Sequence, residues 1–216
     1  MKLLFKNILY SIKIKSLIEV QMKLILIFLL LSYVSYGQDS IFTFTPNGFT
    51  DYVVTKIEGK SQNELYKKTI DWVTITYKSP NDVIKAKIEN DFIRIEGSNN
   101  DMMCMRILGS PSCNLAKYLI EISFKEGKYK FDLTEIKQYF TASEYTSGGW
   151  YEFGLPTSKT LETNPEAMNA YFNDEGEPKK PFKYYVENIP AEFNRLNQSL
   201  KDFLLSDKIP SQQKDW

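Results

Sequence analysis

The chain has 216 residues, with 27 Lys and Arg against 27 Asp and Glu and no histidine. The lack of histidine removes the commonest general base, the usual zinc ligand and the side chain that titrates near neutrality, so histidine-dependent triads are excluded and no cofactor or metal site is expected. A composition that is 43% hydrophobic and 14% aromatic fits a folded chain rather than a disordered one.

Met22-Lys23, the apolar run Leu24 to Val34 and the small residues around Ser35-Tyr36-Gly37 follow the layout of a secretory signal peptide. The apolar run is shorter than the roughly 18 residues needed to span a bilayer, so cleavage after Gly37 is expected and no stable membrane insertion after it. Lys13, Lys15, Glu19 and Gln21 interrupt the preceding stretch, which places the expected translation start at Met22. An uncleaved amphipathic anchor is the alternative. Residues 1–37 are thus expected as a signal, and the product is exported to the periplasm or the medium. Five of the bases and one of the acids precede residue 38, leaving 22 bases and 26 acids beyond it. A mildly acidic product without a basic run has no electrostatic footprint for nucleic acid. Cys104 and Cys113 are the only cysteines, and in an oxidising compartment they are expected as a disulfide, with two buried thiols as the alternative.

From Asp51 to Glu58, Val53, Thr55 and Ile57 alternate with Lys56 and Glu58, the pattern of a half-buried strand. Gly59 ends it, and Ser61 with Glu64 forms a capping box at a helix start. Tyr66, Ile70, Val73 and Tyr77 then recur at helical spacing beside Leu65, Thr69 and Trp72, up to the stop at Ser79-Pro80. Trp72 lies on the packing face and reads as a core anchor. A hairpin follows, with Asn90-Asp91 as a two-residue turn that sets Ile88 opposite Ile93, Ala86 opposite Ile95 and Lys85 opposite Glu96. Its second strand continues to Met102 and Cys104, and Gly109-Ser110-Pro111 turns it back, bringing Cys104 across from Cys113. The next turn, Glu126-Gly127, pairs Phe124 with Tyr129, Ile122 with Phe131, Ile120 with Leu133 and Glu121 with Asp132. The last pair could serve a calcium site or an acid and base couple, but Lys130 and Lys117 are placed to neutralise it on a solvated face.

Between 141 and 181 the texture turns to Gly, Ser, Thr, Asn and Pro, which reads as a loop-rich insertion on a core spanning 38–140. It holds one short helix, capped by Asn164 and opened by Pro165. The aromatic cluster Tyr145, Trp150, Tyr151 and Phe153 either lines a ligand or partner surface or covers an open end of the sheet. A second amphipathic helix falls within 182–205: Pro190 suits a first helical turn, and Phe193, Leu196, Leu200, Phe203 and Leu204 follow on one face. Residues 206–216 form a frayed tail. Asn197-Gln198-Ser199 matches a glycosylation acceptor inside that helix.

Strand, helix, four-strand meander, insertion and long helix make an α+β domain: a curved antiparallel sheet gripped on one face by an N-terminal and a C-terminal helix. The stretch Lys56-Ile57-Glu58-Gly59-Lys60-Ser61, the pairs Leu65-Tyr66 and Asp71-Trp72, the stop Lys78-Ser79-Pro80 and the hairpin Lys125-Glu126-Gly127-Lys128-Tyr129 resemble a bacterial family of exported domains of unknown function with a TATA-binding-protein-like (TBP-like) fold. The resemblance spans 51–136 and implies shape, not DNA binding. The residues themselves offer no nucleophile with a plausible base, so the expectation is a non-enzymatic binding or scaffolding module for an unknown protein. The alternative is a carrier holding a small hydrophobic ligand between the sheet and the last helix. A glycosidase built on Glu121 and Asp132 would need both on a concave surface, whereas their register sets them away from the core.

Overall fold

A computed structural model describes residues 41–144 and 147–206. The expected signal segment, the tail from 207 onward and Tyr145 lie outside the described residues. The chain opens with a small hairpin, β1 (Phe44–Thr45) and β2 (Gly48–Phe49), followed by β3 (Tyr52–Lys56), α1 (Gln62–Thr76), the short α2 (Pro80–Val83), β4 (Ile84–Ile88), β5 (Phe92–Ile107), β6 (Ser110–Lys125) and β7 (Lys128–Phe140). Then come β8 (Gly149–Glu152), α3 (Ser158–Thr163), a 3-10 turn at Pro165–Ala170 and α4 (Lys183–Leu205). The main sheet is antiparallel in the order β3-β7-β6-β5-β4, with β8 also on β7. This is the expected α+β meander. Strands β3 and β8 share one edge of β7 end to end, pairing Tyr52–Lys56 with its first half and Gly149–Glu152 with its second.

Period-two patterning divides the sheet into two faces. Val53, Ile57, Ile93, Ile95, Ile120, Ile122, Phe124, Tyr129 and Phe131 all point inward and are buried. Helix α1 lays Leu65, Tyr66, Thr69, Trp72 and Val73 on this face, and α4 lays Ile189, Phe193, Leu196, Leu200 and Leu204 on it. Each such buried aliphatic or aromatic side chain stabilises by about 1.5–3 kcal/mol. Trp72 is the core anchor expected, its indole N–H donating to Ser199 Oγ at 3.1 Å. Lys68 adds a second tie by donating to the Ser206 carbonyl at 2.6 Å, at the C-terminal end of α4. Asn194 exchanges two hydrogen bonds of 2.8 Å with the backbone of Phe42 and so fixes the start of the described chain on α4.

Several local expectations are corrected. The first hairpin closes with the three-residue loop Glu89–Asp91, so Ile88 faces Phe92, Lys87 faces Ile93 and Ala86 faces Arg94. Asn90 takes the left-handed conformation that such a loop requires. Lys85 still reaches Glu96, at 3.3 Å, through a bulge next to Ile84, but Ile88 points outward and is 55% exposed. The next turn is Leu108-Gly109, both with positive φ, and Pro111 lies inside β6. It closes an arm in which Cys104 and Cys113 pair directly and form the disulfide, their Cα atoms 4.0 Å apart. Ser61 accepts from the Glu64 N–H, but the Glu64 carboxylate turns to Lys60 at 2.7 Å, so the capping box is half made.

The segment 141–181 contributes β8 to the sheet, and α3 is capped reciprocally by Thr157 and Thr160. Asn164 makes no side-chain cap for the turn after it. Pro190 lies well inside α4, because Tyr185, Val186 and Ile189 are buried ahead of it and draw the helix back to Lys183. Asn197 is buried, with its amide held by Tyr129 and Thr55, and offers no glycan acceptor.

Candidate functional site

The expected aromatic cluster is divided by β8. Trp150 points to the outer face of the sheet, 38% exposed, with its ring 5.4 Å from that of Tyr139 and the Lys117 ammonium 4.8 Å above it. Tyr151 points the other way, packs its ring 5.5 Å from Phe140 and is 41% exposed at the rim. Phe153 joins the packed interior, its ring 5.3 Å from that of Tyr185. Of the three described residues of the cluster, Trp150 alone reaches the outer face.

Among the described residues no helix covers that face, and it carries a set of cross-strand and same-strand ion pairs. By register it displays Tyr52, Val54 and Lys56 on β3, and Lys128, Lys130, Asp132, Glu135, Lys137 and Tyr139 on β7. Beside them stand Lys117, Glu121, Ser123 and Lys125 on β6 and Phe92, Arg94 and Glu96 on β5. Most of the charges are paired: Arg94 with Glu121 at 2.7 Å, Lys130 with Asp132 at 2.7 Å, Lys137 with Glu135 at 2.8 Å, and Lys85 and Lys117 with Glu96 at 3.3 and 3.7 Å. The Glu135 carboxylate holds the Lys137 ammonium above the usual lysine value. Cations also lie over rings, Lys130 above Tyr52 at 5.3 Å and Arg94 beside Phe92 at 5.9 Å.

Glu121 and Asp132 face each other as the register requires. Each is neutralised separately. Lys130 serves Asp132 as expected, while Arg94 rather than Lys117 serves Glu121. Among the described residues no group of three or more His, Cys, Asp and Glu side chains could hold a metal ion.

The space between α4 and the sheet is filled: Phe193, Leu196 and Leu200 are buried there, with the Phe193 ring 5.3 Å from Tyr118. An open groove of about 280 Å³ follows the edge where α4 meets β5, lined by Asn99, Asp101, Met102, Asn188, Glu192 and Arg195, and two further clefts lie elsewhere. One of about 270 Å³ sits in the notch between the ends of β3 and β8, lined by Asp51, Glu135, Glu152 and Phe153. Another of about 450 Å³ lies on the outer face, lined by Tyr52, Val54, Ser123, Lys125, Lys128 and Lys130. Beside it, Lys56, Lys128 and Lys125 stand opposite one another on three adjacent strands. The pair Lys125 and Lys128 was visible in the sequence as two lysines bracketing a two-residue turn. Lys56 joins them only through the nonlocal pairing of β3 with β7.

Residues 52–139 match the family model described as a domain of unknown function (DUF4468) with TBP-like fold. A solved DUF4468 family protein from Bacteroides ovatus is similar with a TM-score of 0.54 at 14% identity, over 74% of this chain and 88% of that one. A TBP-like protein from Parabacteroides distasonis gives a TM-score of 0.47 at 12% identity, over 73% of this chain and 92% of that one. No match is found among curated proteins. At such identities the likeness concerns the fold alone. The meander with α1, residues 52–139, is thus similar to the DUF4468 family of TBP-like fold, and β8 and α4 follow it in the chain.

Proposed function

We propose that the protein is an exported, non-enzymatic binding module whose working surface is the helix-free face of the sheet. The observation that carries this reading is the asymmetry of the two faces. One is sealed by α1 and α4, while the other displays Tyr52, Phe92, Tyr139 and Trp150 among Lys and Arg side chains. Aromatic and cationic side chains together supply contact area and orientation at binding surfaces. The disulfide in the β5–β6 arm fits an oxidising compartment, and among the described residues no helix is long and apolar enough to cross a membrane. The filled interface under α4 favours surface binding over carriage of a hydrophobic molecule. With no histidine to act as base and the outer-face carboxylates paired to cations, the face favours recognition over catalysis.

The test is site-specific photo-crosslinking in a Bacteroides ovatus host, the source of the similar solved structure. The full chain carries p-benzoylphenylalanine either at position 150 or at position 71, which is exposed on α1. The expected result is a product outside the cytosol that begins near Gln38 and yields adducts from position 150 alone. A full-length cytosolic product, equal adducts from both positions, or none from position 150 overturns the reading.

A further inference from the structure

We propose that the corner of the outer face formed by Lys56, Lys125 and Lys128 is a binding site for a multivalent anion, a small ligand carrying two or more carboxylate or phosphate groups. The proposal rests on the uncovered face being the working surface. Lys56 is the direct partner of Lys128 across β3 and β7, and Lys128 is the direct partner of Lys125 across β7 and β6. Side chains so placed start about 4.5–5.5 Å apart, and like charges directly opposite destabilise a sheet.

Elsewhere on this face cations are matched with acids, but among the described residues no ion pair engages these three. The nearest acid in sequence, Glu126, sits in the turn between two of them and is committed elsewhere: its carboxylate accepts from the Gln62 N–H at 3.2 Å, at the start of α1. The adjoining groove of about 450 Å³ is lined also by the Ser123 hydroxyl, the Tyr52 ring, Lys130, which is paired with Asp132, and Asp91. That volume falls in the range of about 300–1,000 Å³ typical of small-molecule sites. Three strands spaced about 4.8 Å apart give a basic strip about 10 Å long, which suits a compact ligand better than a polymer. A ligand with several negative groups relieves all the repulsions at once, which a single anion does not.

Calorimetric titration of the processed chain with sodium tripolyphosphate and, separately, with citrate tests this. The expected result is saturable one-to-one binding of at least one probe that weakens as salt rises, because exposed charges are screened over about 10 Å at 0.1 M. Lys125→Gln/Lys128→Gln weakens it by about tenfold, roughly 1.4 kcal/mol, with a melting temperature unchanged or raised. Lys137→Gln, which removes one charge from the other end of the same face, leaves the affinity within about twofold. Binding of citrate alone assigns a carboxylate ligand, of tripolyphosphate alone a phosphate ligand, and of both a general multivalent anion. Absence of saturable binding, or equal weakening by Lys137→Gln, overturns the proposal. Face-selective adducts from position 150 would then still support the broader reading, so the two failures are separable.

Discussion

Gly97 on β5 faces Tyr118 on β6, and the phenol ring of Tyr118 folds over the glycine into the space a Cβ would take. The ring is held there by Phe193, and its hydroxyl lies 3.4 Å from that of Tyr77. Gly97→Ala must push this ring out of a filled interface, which costs about 1–3 kcal/mol by the usual penalty for overpacking. A lowered midpoint in urea unfolding checks it, and an unchanged midpoint would show that the ring has room to move. The sequence offered Gly97 only as part of a continuing strand, since a glycine's value as a niche for a cross-strand aromatic depends on the partner's identity and register. The same holds for Asn197. Its place in a glycosylation-like triplet said nothing of Tyr129 and Thr55, which come from strands far away in the chain and hold its amide in the interior. Trp72 was legible because helical spacing alone set it on the buried stripe.

Among the elements, the β6–β7 hairpin was readable pair by pair. Its turn, Glu126-Gly127, and its alternation are local, and both agree. The β4–β5 hairpin departs by one residue from the expected register because Asn90-Asp91 resembles a two-residue turn, whereas Asn90 supplies the left-handed step of a three-residue loop. One residue of slip reverses every side chain on a strand, which is why Ile88 lies outside. Strand β8 escaped notice because four residues beginning with glycine carry little pattern, and its pairing with β7 is set by shape. The β5–β6 arm runs out to the exposed Leu108-Gly109 turn, and the disulfide closes it. Replacing Cys104 and Cys113 by alanine together should lower the unfolding free energy by about 2–3 kcal/mol, the chain-entropy value for a loop of this length. Urea unfolding of the oxidised protein and the double variant measures it, and equal midpoints would refute a stabilising role.

For the whole molecule the absence of histidine has a direct signature. Between about pH 6 and 9 no side chain of ordinary pKa titrates, so stability should be nearly flat there. Above that range Tyr77, Tyr118 and Tyr185 take over, because burial raises all three phenols, Tyr185 to about 12. The unfolded chain releases these protons near pH 10 while the folded chain keeps them, so unfolding free energy falls as pH rises beyond about 10. Thermal melts across pH 6 to 11.5 should show a plateau and then a decline, which Tyr77→Phe makes shallower. A decline already present at pH 8 would contradict this. The architecture as a whole was legible because turns and amphipathic stripes are each encoded locally. The candidate site was not, since it arises where β3, β6 and β7 are drawn together.

Glu126 links that corner to the rest of the fold. Its carboxylate accepts from the first turn of α1 rather than forming an ion pair with its own lysine neighbours. One side chain thus sets both how firmly the helix is seated and how strongly the corner attracts negative charge. Selection acting on either trait is therefore constrained by the other.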